Sequence, residues 1–175
     1  NPASRVISTR PIEKEGGSDQ TFMKVSAWLN ECLYEQRRGK KTHSNCPKPT
    51  DNYMPTRLVE ISSHTDQYRL KLQESKGSVT EPYVALSYCW GGDQPFKLTQ
   101  KWLNEWIVDI PRDELPQTIK DAVAVCQKLG IRFFWVDSIC IIQDDANDKA
   151  VEIAQMPHIY RNSTVTVAAS RAATV

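Results

Sequence analysis

Leu115-Pro-Gln-Thr-Ile-Lys-Asp-Ala-Val-Ala-Val-Cys-Gln-Lys-Leu-Gly130 runs without a break into Ile131-Arg-Phe-Phe-Trp-Val136. In the first stretch Ile119, Ala122, Val123, Cys126 and Leu129 recur at three and four, which lines them along one helical face. Pro116 suits a first helical turn, and Gly130 stands where a left-handed cap ends a helix. The second stretch is apolar, aromatic and β-branched, as befits a strand covered on both faces. A helix delivered straight into a buried strand is part of a crossover unit, so the stretch predicts an α/β fold.

The neighbouring segments extend that pattern. Upstream, Tyr83-Val-Ala-Leu-Ser-Tyr88 is a compact apolar run, read as a strand, and it ends at Trp90-Gly91-Gly92, a glycine turn able to bring backbone close to a ligand. Leu98 to Val108 predicts a helix with Leu98, Trp102, Leu103, Trp106 and Ile107 on one side. Downstream, Asn147 to Tyr160 reads as a helix with an Asn or Asp cap and apolar Val151, Ile153, Ala154, Met156, Ile159 and Tyr160; Pro157 is expected to kink or end it. Thr164 to Ala168 reads as the last strand. This alternation predicts a mostly parallel sheet flanked by helices, connected by right-handed crossovers.

Towards the N-terminus the signals change. Residues 1 to 20 are polar, with Pro2, Pro11, Gly16 and Gly17, and read as an arm or linker; the chain lacks an initial Met and reads as cut from a longer protein. Phe22, Val25, Trp28, Leu29, Cys32 and Leu33 define a short amphipathic helix. Residues 36 to 56 combine Arg37, Arg38, Lys40 and Lys41 with Pro47, Pro49 and Pro55, the composition of a solvated loop. Arg57 to Ile61 and Tyr68 to Leu72 alternate in polarity around Ser62-Ser-His-Thr-Asp66, which predicts a hairpin. Because the chain stops soon after the last strand, this hairpin is expected to complete the sheet.

Composition narrows the function classes. With 175 residues, 40% of them hydrophobic, the chain has material for one core. A net charge of +1 argues against binding nucleic acid by summed phosphate neutralisation, leaving only the Arg37 to Lys41 cluster as a local basic feature. The longest apolar runs, Phe133 to Val136 and Ile139 to Ile142, are too short to span a bilayer. Five cysteines without CxxC spacing suggest free thiols in a reducing, cytoplasmic setting. Cys32, His43 and Cys46 are the only set resembling metal ligands, with His64 the one nearby fourth candidate; the spacing favours no metal.

In an α/β sheet, ligands bind beyond the carboxyl ends of the strands. That rule selects Ser87, Tyr88, Trp90 and Gly91 after the first core strand, and Asp137, Ser138, Gln143, Asp144 and Asp145 after the second, with Glu152 near the start of the next helix. Each also has a plainer role. Tyr88 and Trp90 can be core aromatics, Asp137 a turn cap, Asp144 and Asp145 a helix start, and Glu152 a solvated helix residue. Ser87 lacks the Gly-x-Ser-x-Gly elbow, Cys140 lies in no thiol-protease signature, and there is no Walker loop.

Taken together, Tyr83-Val-Ala-Leu-Ser-Tyr-Cys-Trp-Gly91, Leu115-Pro-Gln-Thr-Ile-Lys-Asp-Ala122, Leu129-Gly-Ile-Arg-Phe-Phe-Trp-Val-Asp-Ser-Ile-Cys-Ile-Ile-Gln-Asp-Asp145, Glu152, Met156 and Ile159-Tyr160 resemble the fungal heterokaryon incompatibility (HET) domain. The resemblance covers residues 83 to 170; residues 21 to 82 resemble the segment that commonly precedes the domain, so 21 to 175 reads as one unit. It implies a role in non-self recognition that triggers programmed cell death. A more distant resemblance to the Toll/interleukin-1 receptor (TIR) fold, flavodoxin-like in architecture, implies NAD cleavage. By that resemblance Glu152 is the catalytic carboxylate, NAD is a substrate rather than a resident cofactor, and Ser87, Tyr88, Trp90, Gly91, Asp137 and Ser138 bind it. The HET pattern often carries tryptophan three residues before this glutamate, where this chain has Lys149, which puts the activity of this member in doubt. The alternative is a non-enzymatic module that self-associates or contacts a receptor or death-signalling protein.

Overall fold

Arg57–His64 (β1) and Gln67–Glu74 (β2) pair antiparallel from Arg57↔Glu74 to His64↔Gln67. This computed structural model describes residues 17–35, 53–64, 67–75 and 81–169. The strands run further than their alternation predicts: Ser62, Ser63 and His64, read as turn, continue the ladder because backbone pairing does not require apolar side chains.

The hairpin joins a five-stranded mixed sheet of order β2-β1-β4-β3-β5, where β3 is Tyr83–Tyr88, β4 is Phe133–Trp135 and β5 is Val165–Ala169. β4, β3 and β5 pair parallel, while β1 pairs antiparallel with β4 through Val59↔Phe134 and Glu60↔Phe133. The fold is therefore α/β, with the hairpin extending the parallel core as expected. Tyr83, Val84, Ala85 and Leu86 are buried, as is all of β4, which explains why these strands read as unbroken apolar runs. β5 forms one edge, and its residues are half-buried or exposed.

Between β3 and β4 lie Gln100–Trp106 (α2) and Gln117–Leu129 (α3). α3 buries Ile119, Ala122, Val123 and Cys126, the face its spacing predicts. Gly130 ends it at φ 68°, ψ 26°, with the Ile131 amide donating back to the Cys126 carbonyl at 3.0 Å. Between β4 and β5 lie Asp137–Cys140 (α4), a single turn that apolar patterning does not reveal, and Ala146–Asn162 (α5). α5 is capped by Asp145, whose side chain accepts from the amides of Asn147 and Asp148. Pro157 does not end α5; it sits inside the helix. Proline removes one amide, whose acceptor would have been the carbonyl of Ile153, and that residue is half exposed, where water can replace the lost bond.

The chain divides into two compact units, residues 1–46 and 47–175, and everything above belongs to the second. In the first, Asp19–Asn30 forms a helix whose start is capped by the Ser18 hydroxyl, and a wider turn, Glu31–Glu35, continues it. No residue of that helix is buried, although its apolar residues share a face as expected. Arg37 to Lys41, His43 and Cys46 lie outside the described residues. No helix among the described residues is long and apolar enough to cross a membrane.

Candidate functional site

The parallel pairing Tyr83↔Phe133 to Ala85↔Trp135 brings the carboxyl ends of β3 and β4 side by side. There the expected residues meet. The Trp90 indole donates to Asp137 Oδ2 at 3.0 Å, the Ser138 amide donates to Asp137 Oδ1 at 2.7 Å, and the Tyr88 hydroxyl donates to Ser138 Oγ at 3.0 Å. α4 makes this geometry, because Asp137 opens the helix and can bond its first free amide. Ser138 is fully buried, Tyr88, Trp90 and Asp137 are half-buried, and Ser87 and Gly91 are exposed. Gly91 takes φ 69°, the left-handed conformation that needs glycine, and turns the chain after β3.

Burial sets the protonation of this cluster. Asp137 is pushed above the usual carboxylate range by loss of water, against the pull of the Trp90 and Ser138 hydrogen bonds. Tyr88 is raised to about 12 by burial; its bond to Ser138 opposes the shift and the Asp137 charge adds to it. Tyr160, on α5, reaches the Leu86 carbonyl at 3.4 Å and crosses the Trp135 ring edge-on at 5.6 Å. Burial, and then Asp137, raise its hydroxyl as well. The result is a carboxylate held by an indole, beside two neutral phenols.

Glu152 occupies a different setting. It is only 2% exposed, and its Oε1 lies 3.8 Å from Arg57 Nη2. Arg57, itself buried, donates through Nε to the Cys140 carbonyl at 2.8 Å and through Nη2 to both oxygens of Asp148, at 2.6 and 2.5 Å. The Ile142 amide also donates to Asp148. Burial raises Glu152 above the usual carboxylate range, while the Thr56 hydroxyl and Arg57 pull it down and Asp148 pushes it up. Its Oε2 is buried without a hydrogen-bond partner.

Two clusters thus stand where a single crevice is expected: Tyr88, Trp90, Asp137 and Ser138 at the strand ends, and Glu152 with Arg57, Asp148 and Thr56 between β1 and α5. Cys140 lies within the electrostatic reach of both, since Arg57, Glu152 and Asp137 all act on its buried thiol. Sequence alone does not single out Arg57 or Asp148; an arginine opening a strand and an aspartate in a first helical turn carry no local sign of a long-range partner. Lys149 is half-buried beside Asp148 in sequence, and Gln143 spans the α4 turn, donating to the carbonyls of Asp137 and Ile141. Among the described residues there is no group of three or more His, Cys, Asp or Glu placed to hold a metal.

Comparison with protein families matches residues 83–175 to the heterokaryon incompatibility protein (HET) model. No curated protein and no solved structure matches the chain. The matched span holds β3, both helical crossovers, β4 and β5, and every residue of the two clusters except those on and just before β1.

Proposed function

The chain belongs to the heterokaryon incompatibility family, and from that premise we propose that it is an effector domain which triggers cell death by consuming a nicotinamide nucleotide such as NAD. The observation that carries the chemistry is the Trp90–Asp137 pair at the adjoining carboxyl ends of β3 and β4, where α/β folds bind ligands. In the reaction the bond from the ribose to the nicotinamide nitrogen breaks, its electron pair neutralises the cationic ring, and nicotinamide leaves without a strong acid. The sugar carbon left behind is cation-like, a charge that a fixed carboxylate stabilises. Water adds to it and releases a proton. Trp90 offers an aromatic face, and the exposed Gly91-Gly92 turn offers backbone to a phosphate. In this reading Asp137 faces the sugar. Glu152 takes that role only if its side chain leaves the Arg57 and Thr56 contacts.

The 2% exposure of Glu152 favours a second reading, in which the domain signals through contacts with itself or a receptor and Glu152 serves to hold α5 on β1. Nicotinamide release by the purified protein separates the two. It is measured at low and high protein concentration, alongside killing on expression in a fungal host. If the domain is an enzyme, Asp137→Asn abolishes release and killing together while circular dichroism is unchanged. Full killing by both Asp137→Asn and Glu152→Gln leaves the contact reading.

A further inference from the structure

α2 and the segments that flank it line a concavity. Pro95, Phe96 and Lys97 come from the loop after β3, Trp102, Glu105 and Trp106 from α2, and Asp109, Pro111 and Glu114 from the segment that follows. Its volume is about 390 Å³, at the small end of the range for ligand sites. Phe96 and Trp106 stack at 4.8 Å with planes 17° apart; at 8% and 4% exposure they form a fixed aromatic floor. The Ile110 amide, bonded to the Leu70 carbonyl on β2 at 2.7 Å, pins the following segment to the sheet. Trp102 is 36% exposed, a large apolar ring left partly in water.

Charge on this wall is one-sided. Glu105, Asp109 and Glu114 line the pocket, and among the described residues none of them forms an ion pair. The single basic side chain in the lining, Lys97, is engaged by Asp93 at 2.5 Å. The Lys101 ammonium lies 4.1 Å from the centre of the Trp102 ring, so this ring already holds a cation of the chain's own. Carboxylates that form no ion pair attract an ammonium or guanidinium group through charge, and the Lys101 contact shows that the Trp102 ring accepts a cation.

We propose that this pocket binds an organic cation of the size of an arginine or lysine side chain. The proposal does not rest on the nucleotide reading and stands or falls separately from it. The test uses protein labelled with ¹⁵N at tryptophan, whose five indole signals report each ring. Methylguanidinium and tetramethylammonium are titrated, with urea and tert-butanol as neutral counterparts. The cations should shift the Trp102 and Trp106 signals saturably and leave Trp135 in place, while the neutral compounds should not. Glu105→Gln and Asp109→Asn, both at exposed positions, should each weaken binding about fivefold, the worth of one solvent-screened charge contact. Equal shifts from charged and neutral compounds, or affinity unchanged in the double variant, would overturn the proposal. A blocked Gly-Arg-Gly tripeptide distinguishes the source: tighter binding than methylguanidinium identifies a side chain presented by a partner, and equal binding identifies a free cation.

Discussion

The Arg57 guanidinium lies 3.8 Å from the Glu152 carboxylate while bonding Asp148, so one residue of the hairpin and two of α5 share a buried cluster of one positive and two negative charges. The attraction offsets desolvation only while the cation is present. β1 and α5 are joined through it, and with them the antiparallel extension and the parallel core.

Replacing Arg57 with Met should therefore cost about 3–5 kcal/mol at neutral pH, because two carboxylates lose their counter-charge inside the protein. Urea denaturation followed by circular dichroism measures the loss. An unfolding midpoint equal to wild type would show that the cluster is not holding the hairpin.

Glu152 and Asp137 are both raised by burial, so both bind a proton more tightly in the folded state than in the unfolded chain. The stability they contribute is complete below their unfolded values, about pH 4, and is lost as pH rises through the raised folded values. The stability of wild type minus that of Glu152→Gln should accordingly fall as pH rises from about 4 towards neutrality, and Asp137→Asn should behave in the same direction. Denaturation midpoints across that range provide the check; a difference that grows with pH would reverse the assignment.

Gly130→Ala should lower stability by about 1–2 kcal/mol, since Gly130 holds φ 68° and an L-residue is strained there. Nothing lies within 4 Å of the added methyl group, so the cost is one of backbone conformation rather than crowding. Gly130→Asn should recover part of it, because asparagine tolerates the left-handed region. Thermal melts of the two variants decide this.

Burial raises the thiols of Cys126 and Cys140 to about 12, whereas Cys89 is exposed. A thiol reagent at pH 8 should modify Cys89 in the native protein and reach Cys126 and Cys140 only after unfolding in urea. Mass spectrometry of the labelled peptides identifies the sites, and native labelling of Cys140 would mean that α4 opens readily.

Much of this architecture was legible because it is local. The period of α3, the glycine that stops it and the apolar runs of β3 and β4 each depend on neighbours in the chain. Position relative to strand ends was also enough to gather Tyr88, Trp90, Asp137 and Ser138. What the sequence hid is non-local. Pro157 reads as a break, yet α5 continues past it, because the bond it forfeits falls at a half-exposed residue. The burial of Glu152 depends on Arg57, far away in sequence, and neither residue carries a sign of the other. Asp148 carries no sign of its partner either, since the helix dipole alone accounts for an aspartate in a first turn.

Ser138 ties together parts that are otherwise distant. Its amide holds Asp137, its hydroxyl receives Tyr88, and its carbonyl accepts the Leu98 amide at 2.8 Å, at the end of the same loop that lines the aromatic pocket with Phe96 and Lys97. Being fully buried, it has no room to absorb a shift on one side alone. It thus gives the seat of Asp137 and the end of the 95–98 loop one shared, buried anchor.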